Sequence, residues 1–324
     1  MQACTHKVDR VKILATQHAP FAFTPPEGVE VVRLDERQPV PAEHLDADAA
    51  IVVGADTPAV KHLAAEASAL RWVQTLAAGP DGVLACDFAP EVTITTGRGL
   101  HDQTVAEAAL ALALAGILRF PGMLDAQRER RWDARTFGGW RDLHPEGRVG
   151  SLVDAEVLVW GFGAIGQQVA RNFAAVGARV RGIATSVGER AGFAVFAEAD
   201  LPWLLPKTDV LIMVLPSTPA TDRALDAARI DLLPDRAWVV NVGRGTTVDQ
   251  DALVAALHEG RLGGAALDVV DPEPYPADGP LWDAPNTILV PHVAGGRAHG
   301  SDALINENIA RLGAGRPLRN AVSR

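Results

Sequence analysis

The chain has 324 residues, 48% of them hydrophobic and 22% charged, a balance that fits a soluble globular protein of two domains and excludes a chain too polar to fold. A formal charge of −10 excludes the basic face that nucleic acid requires, and the longest apolar stretch, Val105 to Leu118, is broken by Glu107 and falls short of the roughly 20 residues of a membrane span. Two cysteines, Cys4 and Cys86, and histidines scattered along the chain imply neither a disulfide framework nor a metal centre; with no basic-then-apolar signal segment at the start, a cytoplasmic protein is expected.

In chain order, β-rich runs fall at 11–15, 29–34, 50–53, 70–75 and 92–95, parted by turn signals such as Thr24-Pro25-Pro26 and Ala78-Gly79-Pro80. Residues 104–118 then read as a long helix, apolar on most faces, that links two domains. The next segment, 119–151, differs in character, with Arg128, Glu129, Arg130, Arg131, Trp132, Gly138-Gly139 and Trp140. It reads as a solvated connector or as an arm that packs on a second subunit. A second series of runs follows at 157–160, 179–183, 210–215, 238–242, 265–269 and 287–290, and 297–313 is a terminal helix able to cap either domain. Near-continuous Val/Ile/Leu/Ala strands separated by helices imply parallel sheets covered on both faces, so the fold class is α/β with two doubly wound parallel-sheet domains.

The strand Glu156-Val-Leu-Val-Trp160 runs into Gly161-Phe162-Gly163-Ala164-Ile165-Gly166 and then into a helix. This is G-x-G-x-x-G in a strand–turn–helix setting, the fingerprint of a bound dinucleotide. Gly161 permits the turn, Gly163 admits the pyrophosphate, and Gly166 allows helix and strand to pack closely. The helix start then offers amides and a dipole to the phosphates. At the end of the next strand, an acid normally holds the ribose hydroxyls of NAD. Here that place falls at Ala184, followed by Thr185 and Ser186, with Arg190 (or, second, Arg181) as a cation. The missing carboxylate favours NADP(H), and NAD(H) stays possible.

Three further motifs stand at strand ends, where open α/β sheets bind ligands: Asn241-Val-Gly-Arg244-Gly245, Leu267-Asp268-Val-Val-Asp-Pro-Glu273-Pro274 and Pro291-His292-Val-Ala-Gly295. Each alone has an ordinary structural reading. Together they hold what reduction of a 2-oxo acid requires. Arg244 is a planar cation for the carboxylate and carbonyl. His292 is a proton donor, and Glu273 is a carboxylate that favours its charged ring and fixes the ring's orientation. Asp268 can hold the nicotinamide carboxamide.

These motifs resemble the D-isomer-specific 2-hydroxyacid dehydrogenases. The likeness runs from about residue 70 to the C-terminus and includes Thr104-Val-Ala-Glu107 and Leu215-Pro216…Thr221. The resemblance implies that Arg244, Glu273 and His292 are the catalytic triad. It further implies that Val242, Gly243, Arg244, Asp268, His292 and Gly295 join the glycine loop, residues 184–186, Arg190, Leu215, Pro216 and Thr221 in binding cofactor. The family's substrate loop, whose amides hold the carboxylate, matches Leu76, Ala77, Ala78 and Gly79, which act with Arg244 and His292. The implied fold is a Rossmann cofactor domain, 101–292, inserted into a flavodoxin-like substrate domain made of 1–100 plus 293–324. The implied assembly is a homodimer through the cofactor domain.

The departures also speak. Pro80 stands in the substrate loop and removes an amide donor. Glu273 stands where formate dehydrogenases carry Gln, against formate oxidation. The sequence ends soon after Pro317-Leu-Arg-Asn320, which leaves no room for a serine-sensing domain. The leading expectation is an NADP(H)- or NAD(H)-dependent reductase of glyoxylate, hydroxypyruvate or a similar small 2-oxo acid. Two alternatives stay open: a phosphoglycerate dehydrogenase, which needs further cations for a phosphate, and a dinucleotide-sensing binding module like the family's co-repressors.

Overall fold

The computed structural model describes residues 11–19, 23, 25–138, 142–145 and 147–323. The chain divides into two compact units, Met1–His101 with Ala298–Arg324, and Asp102–Arg297. Among the described residues the strands are β1 (Val11–Thr16), β2 (Val29–Leu34), β3 (Ala49–Val52), β4 (Trp72–Thr75), β5 (Thr93–Thr95), β6 (Glu156–Trp160), β7 (Arg179–Ile183), β8 (Gly188–Arg190), β9 (Phe193–Phe196), β10 (Val210–Met213), β11 (Trp238–Asn241), β12 (Gly264–Leu267) and β13 (Thr287–Leu289). The longer helices are α1 (Pro58–Glu66), α2 (Asp102–Ile117), α3 (Phe120–Arg128), α4 (Ala164–Ala175), α5 (Gln250–His258) and α6 (Ser301–Gly313). No single one of them is long and apolar enough to cross a membrane.

The first unit is an all-parallel sheet of order β2-β1-β3-β4-β5, the flavodoxin-like arrangement. Period-two alternation divides its core. Leu14, Ala50, Val52, Val73 and Ile94 face one layer, and Ile13, Ala15, Ala49, Ile51 and Trp72 face the other. Helix α6 covers the second face through Leu304, Ile305 and Ile309. A buried polar chain fixes it there: Asn308 donates to Gln74 at 3.0 Å, and its Oδ1 accepts the Arg319 amide at 2.7 Å. Of the two domains the terminal helix was able to cap, it caps this one.

The second unit has the order β13-β12-β11-β10-β6-β7-β9-β8. Seven strands are parallel, in the classic Rossmann order extended by one strand. Val157, Val159, Val210 and Ile212 meet α2 and α4 on one face, while Leu158, Trp160, Leu211 and Met213 fill the other. The linking helix is therefore a core helix of this unit. Gly116 gives it room against Trp238, because a Cβ there would overlap the indole.

Two features correct the sequence reading, and a third fills in the expected arm. The hairpin β8–β9 was not expected, and β8 runs antiparallel to β9 at the sheet edge. A three-residue Gly-Glu-Arg strand, largely exposed, carries no apolar run that could signal it. The boundary expected at 292/293 lies instead at 297/298. The amides of Val293 and Ala294 bond the Asp268 carboxylate and so belong with the second unit. In the expected arm, α3 is followed by a short turn at Ala134–Phe137, and Arg119 folds back over the Phe137 ring at 4.8 Å. Trp140 and Gly139 lie outside the described residues.

Candidate active site

The register of the second sheet sets the site. Ile183, Trp160, Met213, Asn241, Leu267 and Leu289 pair along one row, and each is the last residue of its strand. The six segments that follow, starting at Ala184, Gly161, Val214, Val242, Asp268 and Val290, therefore all leave the sheet at its carboxyl edge. That edge carries every candidate of the second unit that the sequence singled out at a strand end.

Gly161 has φ +104, and a side chain there would overlap the Val214 carbonyl oxygen. At Gly166 a Cβ would overlap the carbonyl oxygen of Gly161, so α4 touches the loop backbone. Gly163 is different. A Cβ there meets nothing within 4 Å, so no packing within the protein demands a glycine. Close approach of a phosphate to this backbone would demand one. Gly163 is also the N-cap of α4 and has no side chain to cap it, which leaves the first-turn amides for an anion. The loop fits a dinucleotide pyrophosphate. Its buried Phe162 seats on Gly182 and packs edge-on against Phe193 of the hairpin at 6.1 Å.

The hairpin delivers Arg190. Its guanidinium donates to the carbonyl oxygens of Phe162 (3.2 Å) and Ser186 (2.6 Å) and to the Ser186 hydroxyl. All three partners are neutral, so among the described residues the cation stands beside the glycine loop with no carboxylate. Arg181 is instead paired with Glu156 at 2.5 Å, which removes it as a phosphate ligand. Ala184 sits half-buried between them, its amide on the Phe196 carbonyl at 3.1 Å, and Thr185 is exposed. On the neighbouring segment, the Thr221 hydroxyl closes the Leu215–Pro216 loop by donating to the Pro216 carbonyl at 2.5 Å.

His292 and Glu273 meet. The ring's Nδ1 lies 2.7 Å from Glu273 Oε2, and Glu273 Oε1 accepts the Val270 amide at 3.2 Å. An ionised carboxylate only accepts, so Nδ1 carries the hydrogen. Nε2 has no partner among the described residues. His292 has φ +52, a left-handed conformation uncommon outside glycine. Asp268 explains how that turn is held: its carboxylate accepts from Val293 at 2.8 Å and from Ala294 at 3.1 Å. This is a task the sequence did not assign to Asp268. Burial pushes its carboxyl above the usual range, opposed by those two amides and by His292.

Arg244 follows β11 and is half-buried, one Nη donating to the Gly243 carbonyl at 2.8 Å. Asn241 braces its turn from both sides, Oδ1 accepting from Gly243 and Nδ2 donating to the Arg244 carbonyl, each at 3.0 Å. Two glycines press the turn into place. A Cβ on Gly243 would lie 2.6 Å from the Leu215 carbonyl oxygen, and one on Gly245 would overlap Val270. The Arg244 turn is thus packed on the segment that carries Glu273. Val242 is buried beneath it, and Gly295 follows the buried Ala294.

The expected substrate loop lies in the first unit, and there the expectation narrows. The Leu76 amide bonds Val52 at 2.9 Å, and the Ala77 amide bonds the Thr75 hydroxyl at 3.1 Å. Neither remains for a carboxylate. Of the four expected loop residues, Ala78 and Gly79 alone have amides that bond nothing among the described residues.

The family model for the D-isomer specific 2-hydroxyacid dehydrogenase NAD binding domain matches residues 110–294, more than half of the chain. The chain belongs to the D-isomer specific 2-hydroxyacid dehydrogenase family. As a 2-hydroxyacid dehydrogenase it is an NAD(P)-dependent oxidoreductase acting on CH–OH donors. A glyoxylate/hydroxypyruvate reductase A of Escherichia fergusonii is 33% identical over 87% of this chain and 88% of its own length. Two solved structures are similar throughout. A D-isomer specific 2-hydroxyacid dehydrogenase from Xanthobacter autotrophicus in complex with NADPH and MES is 30% identical, with TM-score 0.75 over 96% of this chain and 98% of that one. An NADPH-dependent glyoxylate/hydroxypyruvate reductase from Sinorhizobium meliloti in complex with NADP and sulfate is 26% identical, with TM-score 0.78 over 97% and 98%.

Proposed function

We propose that this 2-hydroxyacid dehydrogenase reduces a small 2-oxo acid, glyoxylate and hydroxypyruvate first among candidates, and uses NADPH in preference to NADH. The observation that carries the reading is the Glu273–His292 pair, 2.7 Å apart, at the same sheet edge as the open glycine loop. The nicotinamide supplies the hydride when bound. The amides at the start of α4 would hold its pyrophosphate, which Gly163 leaves room to approach, while Gly161 and Gly166 shape the loop. Arg244 holds the substrate's carboxylate and carbonyl oxygen. His292, its Nδ1 fixed on Glu273, turns Nε2 toward that oxygen and delivers a proton as negative charge grows there. In the reverse direction Nε2 takes the proton from the hydroxyl. The names of the similar proteins support the substrate class, and the two NADP-bound relatives support the cofactor.

The adenosine end supports NADPH by its charge. No acid stands at Ala184, and among the described residues Arg190 is balanced by neutral oxygens alone. A hydrogen bond between charged groups is worth about 1.5–3 kcal/mol, roughly tenfold to a hundredfold in affinity. Matched titrations should show NADPH binding tighter than NADH, and Arg190→Ala should weaken NADPH by at least tenfold while NADH changes little. A parent that prefers NADH, or a variant that loses both alike, contradicts this.

The arm supports a homodimer through the cofactor domain. Phe120, Leu124, Trp132 and Leu143 are exposed along it, Trp132 at 96%. A mass in solution of two 34.2 kDa chains is expected, and the mass of one chain contradicts it. The setting that suits these readings is the cytoplasm, where Cys86 stays a thiol.

A further inference from the structure

The segment that carries Glu273 is weakly held by its own backbone. Pro272 and Pro274 have no N–H to give, and among the described residues no backbone–backbone hydrogen bond is donated anywhere in 269–275. Two of its amides find side chains instead. Val270 gives its hydrogen to Glu273 itself, and Asp271 gives its hydrogen to Gln250 Oε1 at 3.2 Å. Gln250 completes a ring by donating its Nε2 hydrogen to the Asp271 carbonyl oxygen. One side-chain amide thus satisfies both polar groups of one backbone unit. Apart from His292, Gln250 is the one side chain outside the segment that hydrogen-bonds to it among the described residues.

The clasp stands on firm ground. Gln250 is the first residue of α5, whose N-cap Asp249 accepts the Ala252 amide at 3.1 Å and bonds through its own amide to Leu225 at 3.0 Å. Two residues beyond the clasp, Glu273 aligns the His292 ring. Loss of the clasp frees Asp271, lets the Pro272–Pro274 turn shift as a unit, and moves the carboxylate that sets where Nε2 points.

We infer that Gln250 is a positioning residue for proton transfer: through the Asp271 backbone it holds Glu273 where that carboxylate orients His292. This rests on the proposed role of His292 as proton donor. A misplacement of about 1 Å at a reacting group costs on the order of a hundredfold in rate, and a loosened loop that still visits the right position costs less.

The test uses the full-length enzyme with NADPH and glyoxylate and compares Gln250→Ala, Gln250→Glu and His292→Asn with the parent. Gln250→Ala should lower kcat by about tenfold to a hundredfold, leave KM for NADPH within about twofold, and enlarge the solvent deuterium isotope effect on kcat as the proton step becomes limiting. Gln250→Glu keeps the acceptor for the Asp271 amide and loses the donor, so its kcat should fall between parent and alanine variant. The inference is overturned if Gln250→Ala keeps kcat within twofold, or if its kcat loss comes with an equal loss of NADPH affinity and an unchanged isotope effect. A fully active His292→Asn enzyme instead removes the donor assignment beneath it, so the two failures are told apart.

Discussion

Replacing His292 with asparagine lowers kcat for 2-oxo acid reduction by about 10²–10⁴, the usual worth of a positioned proton donor, and leaves NADPH affinity nearly unchanged. Asparagine is the informative choice because residue 292 sits at φ +52. Alanine would add left-handed strain there, whereas asparagine tolerates that conformation and has no proton to transfer. The turn itself survives the exchange, since Asp268 holds it through the backbone amides of Val293 and Ala294 and not through the ring. Steady-state kinetics beside an NADPH titration separate the two effects. Unchanged turnover removes His292 as the acid, and a matching loss of cofactor affinity assigns it a binding role instead.

The second large effect contrasts two glycines three residues apart. Gly166→Ala places a Cβ on the carbonyl oxygen of Gly161, where both partners are backbone and no rotamer relieves the overlap. Overpacking of this kind costs about 1–3 kcal/mol, and it forces α4, with its first-turn amides, away from the loop. Melting temperature and NADPH binding should fall together, binding by about tenfold or more. Gly163→Ala meets nothing within 4 Å and should melt like the parent. It should still bind NADPH poorly, because its methyl group enters the space through which the pyrophosphate approaches. Normal NADPH affinity in Gly163→Ala would falsify the assignment of this loop to the cofactor.

Much of this was legible because parallel sheets write themselves plainly. Strands buried on both faces read as continuous apolar runs, and the one-row register of the second sheet brings each residue after a run to the same edge. That is why Gly161, Arg244, Asp268 and His292 stand at one edge although they are far apart in sequence. What stayed hidden depends on backbone hydrogen bonds that no residue type announces. In the sequence nothing marks the Ala77 amide as taken, yet in the fold it donates to the Thr75 hydroxyl. Asp268 carried no sign of its structural task, which is to hold the turn after His292 through the amides of Val293 and Ala294. The hairpin β8–β9 is too short and too polar to signal a strand. Only its register shows that Arg190, four residues beyond Ser186, returns to the glycine loop. Gln250 carried no signal at all, since its partner is the backbone of Asp271.

The most direct measurement is the oxidation of NADPH and NADH by the purified protein across a panel of 2-oxo acids, from glyoxylate and hydroxypyruvate to larger and phosphorylated members. Turnover with small 2-oxo acids, faster with NADPH, is the result this account expects. Firm NADPH binding with no oxidation by any acid in the panel contradicts it, because Arg244, Glu273 and His292 would then stand beside a bound nicotinamide without performing the reaction assigned to them.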